Sequence, residues 1–214
     1  MQDKIVTYSV EEIMRYVNQG FVDVVAQDGV YRVTETPVGI FSLKIRNKDE
    51  LPFWREGFAF ALPPIPTDIL GQIYAFFRYY ARNRCEVMAQ IYWNPEKKEY
   101  KVHIPMQIVT QVSVDLLSDD WDREVYLNNI CVMDIHSHHD MEAFFSTTDD
   151  EDELATRLYA VIGRVNTKPE LLLRYGLQGI HRMLRPEAVF EHDWNRAWEY
   201  CYFPAEWMYR VVVR

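Results

Sequence analysis

Two histidines and one aspartate in the second half of the chain have the types and spacing of metal ligands. His136 and His138 are two positions apart at the end of an apolar run, 130–135, that predicts a buried strand. Residues i and i+2 of a strand share a face, so both imidazoles can converge on one ion while Ser137 points away. Asp149, eleven residues beyond His138, stands at a predicted helix start and can supply an anionic third ligand. Three protein ligands with an open fourth position are typical of catalytic rather than structural zinc.

These residues also carry a family resemblance. His136-Ser137-His138, seven further residues and then Ser146-x-x-Asp149 resemble the JAMM motif of the JAB/MPN metalloprotease family. Members of that family remove ubiquitin or ubiquitin-like proteins by cutting isopeptide or peptide bonds. The stretches Pro105–Val109 and Ala143–Ser146 are similar to the prokaryotic branch found in phage and mobile-element operons, and the resemblance extends over residues 65–190.

The resemblance implies a role for each residue of the motif. It implies a zinc ion held by His136, His138 and Asp149. Ser146 would lie next to the bound water, where its hydroxyl could donate a hydrogen bond to the developing oxyanion. The family also uses a glutamate on an earlier strand as general base, and Glu86 fills that place.

The environment of Glu86 follows from the pattern around it. Apolar and polar residues alternate from Cys85 to Trp93, which predicts a strand with two different faces. Glu86 lies on the more polar face, which is compatible with a cleft. A solvated strand carboxylate would give the same pattern, and Glu99 and Glu124 are competing candidates for the base.

Simpler structural roles can also explain parts of the motif. Ser146-x-x-Asp149 is a spacing typical of helix N-terminal capping, and capping does not exclude metal binding by the same aspartate. We expect Asp150–Glu153 to do no more than complement the helix dipole in the first turn. His139 could approach the metal, but we expect it to be a loop histidine in solvent.

Elements that position these residues can be placed along the chain. The proline cluster at 63–66 marks a boundary. We predict a β-rich extension at 1–62, a JAB/MPN-like domain at 63–192 and an aromatic tail at 193–214 that packs on the core and covers a sheet edge. The fold class is α/β of the layered α+β kind, a mixed β-sheet with flanking helices. Strands are predicted at 21–26, 30–36, 39–45, 85–93, 100–104, 108–116, 129–135, 158–165, 171–177 and 179–184, and helices at 67–83, capped by Thr67, and from about 148.

Composition and charge exclude several classes of function. The 214 residues carry 23 basic and 32 acidic side chains, a net charge of −9, and no basic stripe, so nucleic acid is disfavoured as a partner. The sequence has three cysteines, an odd number with no CxxC pair, which argues against a disulfide framework or a cysteine-rich zinc site. The sequence has no signal-peptide pattern and no long apolar segment, so we expect a cytoplasmic protein with no membrane partner.

Three hypotheses of function remain open. The first is a zinc-dependent isopeptidase or peptidase that cleaves after a ubiquitin-like protein, with cognate activating and conjugating enzymes as possible partners. The second is a non-catalytic MPN-type scaffold, although such members usually lack a ligand and this chain keeps the full set. The third is a non-haem iron enzyme, because two histidines and a carboxylate also form its triad. Iron enzymes commonly place the carboxylate beside the first histidine, an order that differs from this one.

The acidic surplus yields a prediction about the partner. Two stretches, 115–124 at −4 and 149–153 at −5, account for the whole net charge. We expect a partner with a basic surface, so binding or cleavage should weaken as salt rises from about 0.01 M to about 1 M and the Debye length falls from about 30 Å to about 3 Å. Affinity measured across that range tests this, and a salt-independent affinity would make these acids an ordinary solvated face.

Overall fold

The computed structural model describes residues 20–47, 56–117 and 120–214. The chain divides into two compact units, Met1–Pro63 and Pro64–Arg214. Residues 1–19 and 48–55 of the predicted N-terminal extension lie outside the described part, as does Asp119 of the acidic stretch 115–124.

The described part of the first unit is a four-stranded antiparallel sheet. Its strands follow one another in the order β1-β2-β3-β4. Val24, Ala26, Tyr31 and Val33 form its apolar cluster, because alternate residues of neighbouring strands share one face. The strands are β1 Val22–Ala26, β2 Gly29–Thr36, β3 Gly39–Asn47 and β4 Gly57–Phe60.

The second unit is built on a mixed six-stranded sheet with few helices, which confirms the predicted fold class. The strand order is β12-β11-β10-β9-β5-β6, and all neighbours are antiparallel except β9 and β10. A smaller sheet has the order β13-β7-β8. The strands are β5 Met88–Asn94, β6 Glu99–His103, β7 Met106–Val109, β8 Val114–Leu117, β9 Ile130–Ser137, β10 Arg157–Gly163, β11 Glu170–Leu177, β12 Ile180–Leu184 and β13 Val211–Val213.

The α-helices of the second unit range from six to fifteen residues in length. They are α1 Thr67–Ala81, α2 Asp120–Asn128 and α3 Thr147–Asp152, with 3-10 helices at Pro186–Ala188, Trp194–Glu199 and Ala205–Arg210. In the part of the chain that the structure describes, no helix has the length and apolar character needed to cross a membrane.

Helix α1 buries the apolar stripe expected from its sequence. Leu70, Ile73, Phe76 and Phe77 are fully buried. The predicted cap is wrong, because Pro66 is the N-cap residue and Thr67 is the first helical residue. Proline is suited to the helix start, since it has no amide hydrogen to leave unpaired. The Thr67 hydroxyl instead donates to Asp193 Oδ1 at 3.0 Å, and its amide donates to Glu191 Oε2 at 2.8 Å.

The C-terminal segment packs its aromatic rings on α1. The ring of Trp198 lies 5.1 Å from that of Tyr74, and the rings of Phe203 and Trp207 lie 5.4 and 5.6 Å from that of Phe76. Its last strand, β13, pairs in parallel with β7 and so extends the small sheet. The segment therefore joins a sheet rather than only covering an edge.

The region between β6 and β9 differs most from the sequence expectation. The predicted strand 108–116 is two strands, β7 and β8, separated by a tight turn in which the Thr110 amide donates to the Ser113 carbonyl. Helix α2 follows in a segment that was interpreted only as acidic. Three of its nine residues are acids, which weakens the apolar stripe by which an amphipathic helix is recognised.

Phe76 offers a test of the core of the second unit. Phe76→Ala should lower the free energy of unfolding by about 3–5 kcal/mol, because it removes a fully buried ring that contacts Tyr80, Phe203 and Trp207. Arg78→Ala on the exposed face of the same helix should change it by about 0.5 kcal/mol or less. Urea unfolding of both variants checks this, and equal losses would contradict the packing described here.

Candidate metal centre

Both histidines are held by the central strand of the sheet. Strand β9 pairs with β5 on one side and with β10 on the other, so its backbone is fixed along both edges. Ser137, between the histidines, points away as expected and is fully buried. Its hydroxyl accepts a hydrogen bond from the Val87 amide at 3.1 Å, and its own amide donates to the Val87 carbonyl at 3.0 Å. These two hydrogen bonds therefore connect the end of β9 to the segment that carries Glu86.

The register of this pairing decides where Glu86 lies. Met88 is the partner of His136, and the two Ser137–Val87 hydrogen bonds continue the same register. Glu86 therefore lies opposite His138, on the same face of the sheet, and a slip of one residue would turn it to the other face. Its Oε1 is 3.9 Å from His138 Nε2.

Glu86 is held from the other side by the segment around β7. Its amide donates to the Thr110 carbonyl at 2.9 Å. The Gln107 side chain binds both backbone groups of Met88, accepting from the amide at 2.9 Å and donating to the carbonyl at 2.9 Å. Pairing between β5 and β6 stops at Gln90, so this side-chain amide takes the place of a strand partner at Met88. Sequence analysis did not identify this role of Gln107.

The Glu86 carboxyl is in an environment suited to proton transfer. The residue is 8% exposed, and burial, followed by the charge of Asp149, raises its pKa to about 7. A general base works best with a pKa near the operating pH. Glu99 and Glu124, the competing candidates, are exposed on β6 and α2.

Asp149 is oriented by the start of helix α3. Ser146 is the N-cap residue, and its hydroxyl accepts from the Asp149 amide at 3.1 Å and donates to Asp149 Oδ2 at 2.7 Å. The Ser146 amide also donates to Oδ2, which completes a capping box. The other oxygen, Oδ1, lies 3.5 Å from His136 Nε2. The aspartate thus uses one oxygen for capping and turns the other toward the histidines.

The three side chains fit the donor set of a zinc site. The Nε2 atoms of His136 and His138 are 3.2 Å apart, and one ligand atom from each of the three residues falls within 4.8 Å of the others. Zinc–ligand bonds of about 2.0–2.1 Å at tetrahedral angles separate neighbouring ligand atoms by about 3.3–3.4 Å. The distances of 3.2 and 3.5 Å lie close to that value. Burial lowers the pKa of His136 to about 4 and also lowers that of His138, which favours the neutral imidazole that binds metal.

The loop after His138 closes over the end of β10. His139 has a positive φ of 32°, and a Cβ at Gly163 would lie 2.1 Å from the Ala143 amide nitrogen, so only glycine fits there. The expectation of a solvated His139 is wrong. It is 8% exposed, with Nε2 3.1 Å from the Gln111 carbonyl, because the tight turn directs its ring inward. Phe144, which the sequence analysis used only as part of the stretch that resembles the prokaryotic branch, places its ring 4.4 Å from that of His138.

A cavity of about 530 Å³ lies on the face of the six-stranded sheet that carries His136. Met88, the register partner of His136, is one of its lining residues. Four carboxylates and one arginine also line it, namely Asp115, Asp134, Asp152, Glu153 and Arg157. Asp134 is paired with Arg157 and Glu153 with Arg174, so the surplus negative charge of the lining comes from Asp115 and Asp152.

Comparison with known proteins agrees with the motif. Residues 78–175 match the model of a family described as prokaryotic homologs of the JAB domain. The match includes all five residues singled out by the motif and by the base assignment. None of the curated proteins matches the chain.

The raised pKa of Glu86 predicts how the stability of the metal-free protein depends on pH. An unfolded glutamate has a pKa of about 4.3, so between about pH 4.3 and pH 7 the folded chain binds more protons at this site. Wild type should therefore lose stability relative to Glu86→Gln as pH rises through that window. Above pH 8 the variant should be more stable by up to about 3 kcal/mol.

Urea unfolding of chelator-treated protein at several pH values measures this difference. Glu99→Gln is the matched control, because it removes an exposed carboxylate and should follow wild type at every pH. A Glu86→Gln curve parallel to wild type from pH 4 to pH 8 would contradict the buried environment of this carboxyl.

Proposed function

We propose that this chain is a member of the JAB/MPN family and that it is a zinc-dependent isopeptidase or peptidase that cleaves after a ubiquitin-like protein; the match of residues 78–175 to prokaryotic homologs of the JAB domain supports this. The observation that carries the proposal is the convergence of His136, His138 and Asp149 with the buried Glu86 beside them. A scaffold that only binds a partner has no need of a buried carboxylate next to metal ligands, which costs stability.

The chain's own residues divide the chemistry among them. His136 and His138 would bind the ion through Nε2 and Asp149 through Oδ1. Zinc, when bound, lowers the pKa of a water ligand to about 7 and polarises a carbonyl. Glu86 takes a proton from the attacking water and returns it to the leaving amine, a contribution of about 10² to 10⁴ in rate.

The role of Ser146 that the contacts support is to orient the candidate metal ligand Asp149. Its hydroxyl proton is directed at Asp149 Oδ2, which fixes the carboxylate so that Oδ1 remains available. Donation to an oxyanion, the role implied by the family resemblance, requires the hydroxyl to leave Oδ2. The capping bond to the Asp149 amide could then hold the serine in place.

A ubiquitin-like protein or its conjugate is the substrate class that we propose. The family resemblance supports this class. The negative cavity next to the centre supports a substrate segment that carries basic side chains. Activating and conjugating enzymes of the same system are proposed as functional partners on the same basis.

Three proteins test the proposal: wild type, His138→Ala and Glu86→Gln. Wild type should contain about one zinc per chain, and His138→Ala should lose both the metal and the activity. Glu86→Gln should keep the zinc and lose about 10² to 10⁴ in kcat. Elemental analysis gives the zinc content, and a panel of ubiquitin-like proteins fused through their C-termini to a reporter protein gives the cleavage rate.

Glu99→Gln serves as the control and should cleave at the wild-type rate. An active enzyme without zinc, or full activity in Glu86→Gln, would overturn the mechanism. Zinc binding without cleavage of any fusion or lysine conjugate would favour the scaffold hypothesis. Activity that depends on O₂ would favour the iron enzyme.

A further inference from the structure

Arg174 is a buried arginine that contacts the segment carrying the third candidate ligand. It lies on β11 and is 4% exposed. Its guanidinium donates to Glu153 Oε2 from Nε at 2.8 Å, with Nη2 2.6 Å from the same oxygen, and to Asp150 Oδ1 from Nη1 at 2.5 Å. It also stacks on Phe145, with Cζ 3.9 Å from the ring centroid.

These contacts lie on both sides of Asp149. Phe145 comes just before the capping serine, Asp150 follows Asp149 directly, and Glu153 ends the helix. We call residues 145–153 the ligand segment. One rigid, planar guanidinium thus touches the segment before, next to and after the ligand.

The ligand segment needs such an anchor because its helix cannot hold itself in place. Helix α3 has six residues and none of them is buried, so no apolar face attaches it to the sheet. Helices this short are unstable in water without tertiary contacts. His181 on β12 gives a second polar contact, with Nε2 2.8 Å from the Glu153 carbonyl and Nδ1 3.8 Å from Asp150 Oδ1.

The contacts of Arg174 also distinguish Asp149 from the acids that follow it in the sequence. Five consecutive acids begin at Asp149. Asp150 and Glu153 are paired with Arg174, and Glu151 and Asp152 are exposed. The expectation that Asp150–Glu153 do no more than complement the helix dipole is therefore wrong for two of the four.

We propose that Arg174 is a positioning residue of the metal centre: by holding Phe145, Asp150 and Glu153 it fixes the ligand segment so that Asp149, and no neighbouring acid, meets His136 and His138. This inference rests on the proposed zinc site. A purely structural buried ion pair is the alternative, and it would affect unfolding without a specific effect on metal affinity.

Zinc affinity of the full chain, measured by competition with a chelator, separates these two roles. Arg174→Gln should lower the affinity about 10- to 100-fold, the usual effect of losing a group that orients a ligand. Arg174→Lys should lie between the variant and wild type, because lysine keeps the charge but cannot contact two carboxylates and a ring with one planar group. The lysine variant also serves if Arg174→Gln folds poorly.

Arg210→Gln is the matched control. Arg210 is 9% exposed and is bound to the buried Asp122 at 2.5 Å, away from the ligand segment. It should lose stability without losing zinc affinity. In an Asp149→Ala background, Arg174→Gln should cause no further loss of affinity, because its positioning effect requires Asp149 and its positive charge, which also acts on His136, opposes a bound cation.

A second readout needs no metal. In the metal-free protein, amide hydrogen exchange of residues 147–153 should be faster in Arg174→Gln than in wild type, and Arg210→Gln should leave it unchanged. Wild-type zinc affinity in Arg174→Gln, or an equal loss in Arg210→Gln, overturns the inference and leaves the proposed function intact. Zinc binding that depends on Arg174 in a protein that cleaves nothing overturns the proposed function alone, and a wild-type chain that binds no zinc overturns both.

Discussion

The candidate centre depends on one constraint, the fixed register between β5 and β9. That register places Met88 against His136 and, continued by the Ser137–Val87 hydrogen bonds, Glu86 against His138. The Nε2 atoms of the two imidazoles are then 3.2 Å apart, and the backbone that carries them is hydrogen-bonded to a neighbouring strand along both edges. The Glu86 carboxyl is buried beside them, which is unfavourable for its charged form unless a positive ion lies nearby, so the site favours a bound cation.

Residues local to the motif could be predicted from the sequence. The shared face of His136 and His138 follows from the two-residue period of a strand, and the opposite orientation of Ser137 follows from the same rule. Ser146 and Asp149 were recognised both as a capping pair and as part of the motif, and the structure combines the two because a carboxylate has two oxygens. These inferences needed only spacing along one strand or one helix start.

Long-range contacts could not be predicted in this way. Threonine is a common helix-capping residue, so Thr67 was predicted to cap α1. Its hydroxyl instead binds Asp193, which lies near the other end of the chain. His139 reads as a loop residue, and its burial depends on a carbonyl 28 positions earlier. Arg174 did leave a signal, since one charge inside the apolar stretch Leu171–Leu177 must find a partner when the strand is buried. The sequence does not say which acid that partner is.

The Gln107 amide bears on how freely this domain can vary. It binds the amide and carbonyl of Met88 as a neighbouring strand would, at the point where β6 has already ended. The backbone next to Glu86 is therefore completed by one side chain and the Thr110 carbonyl rather than by a continuous strand. An insertion between Met106 and Thr110 would therefore displace the backbone next to Glu86 although these residues lie outside the six-stranded sheet, so this short stretch should not accept the changes in length that surface loops usually accept.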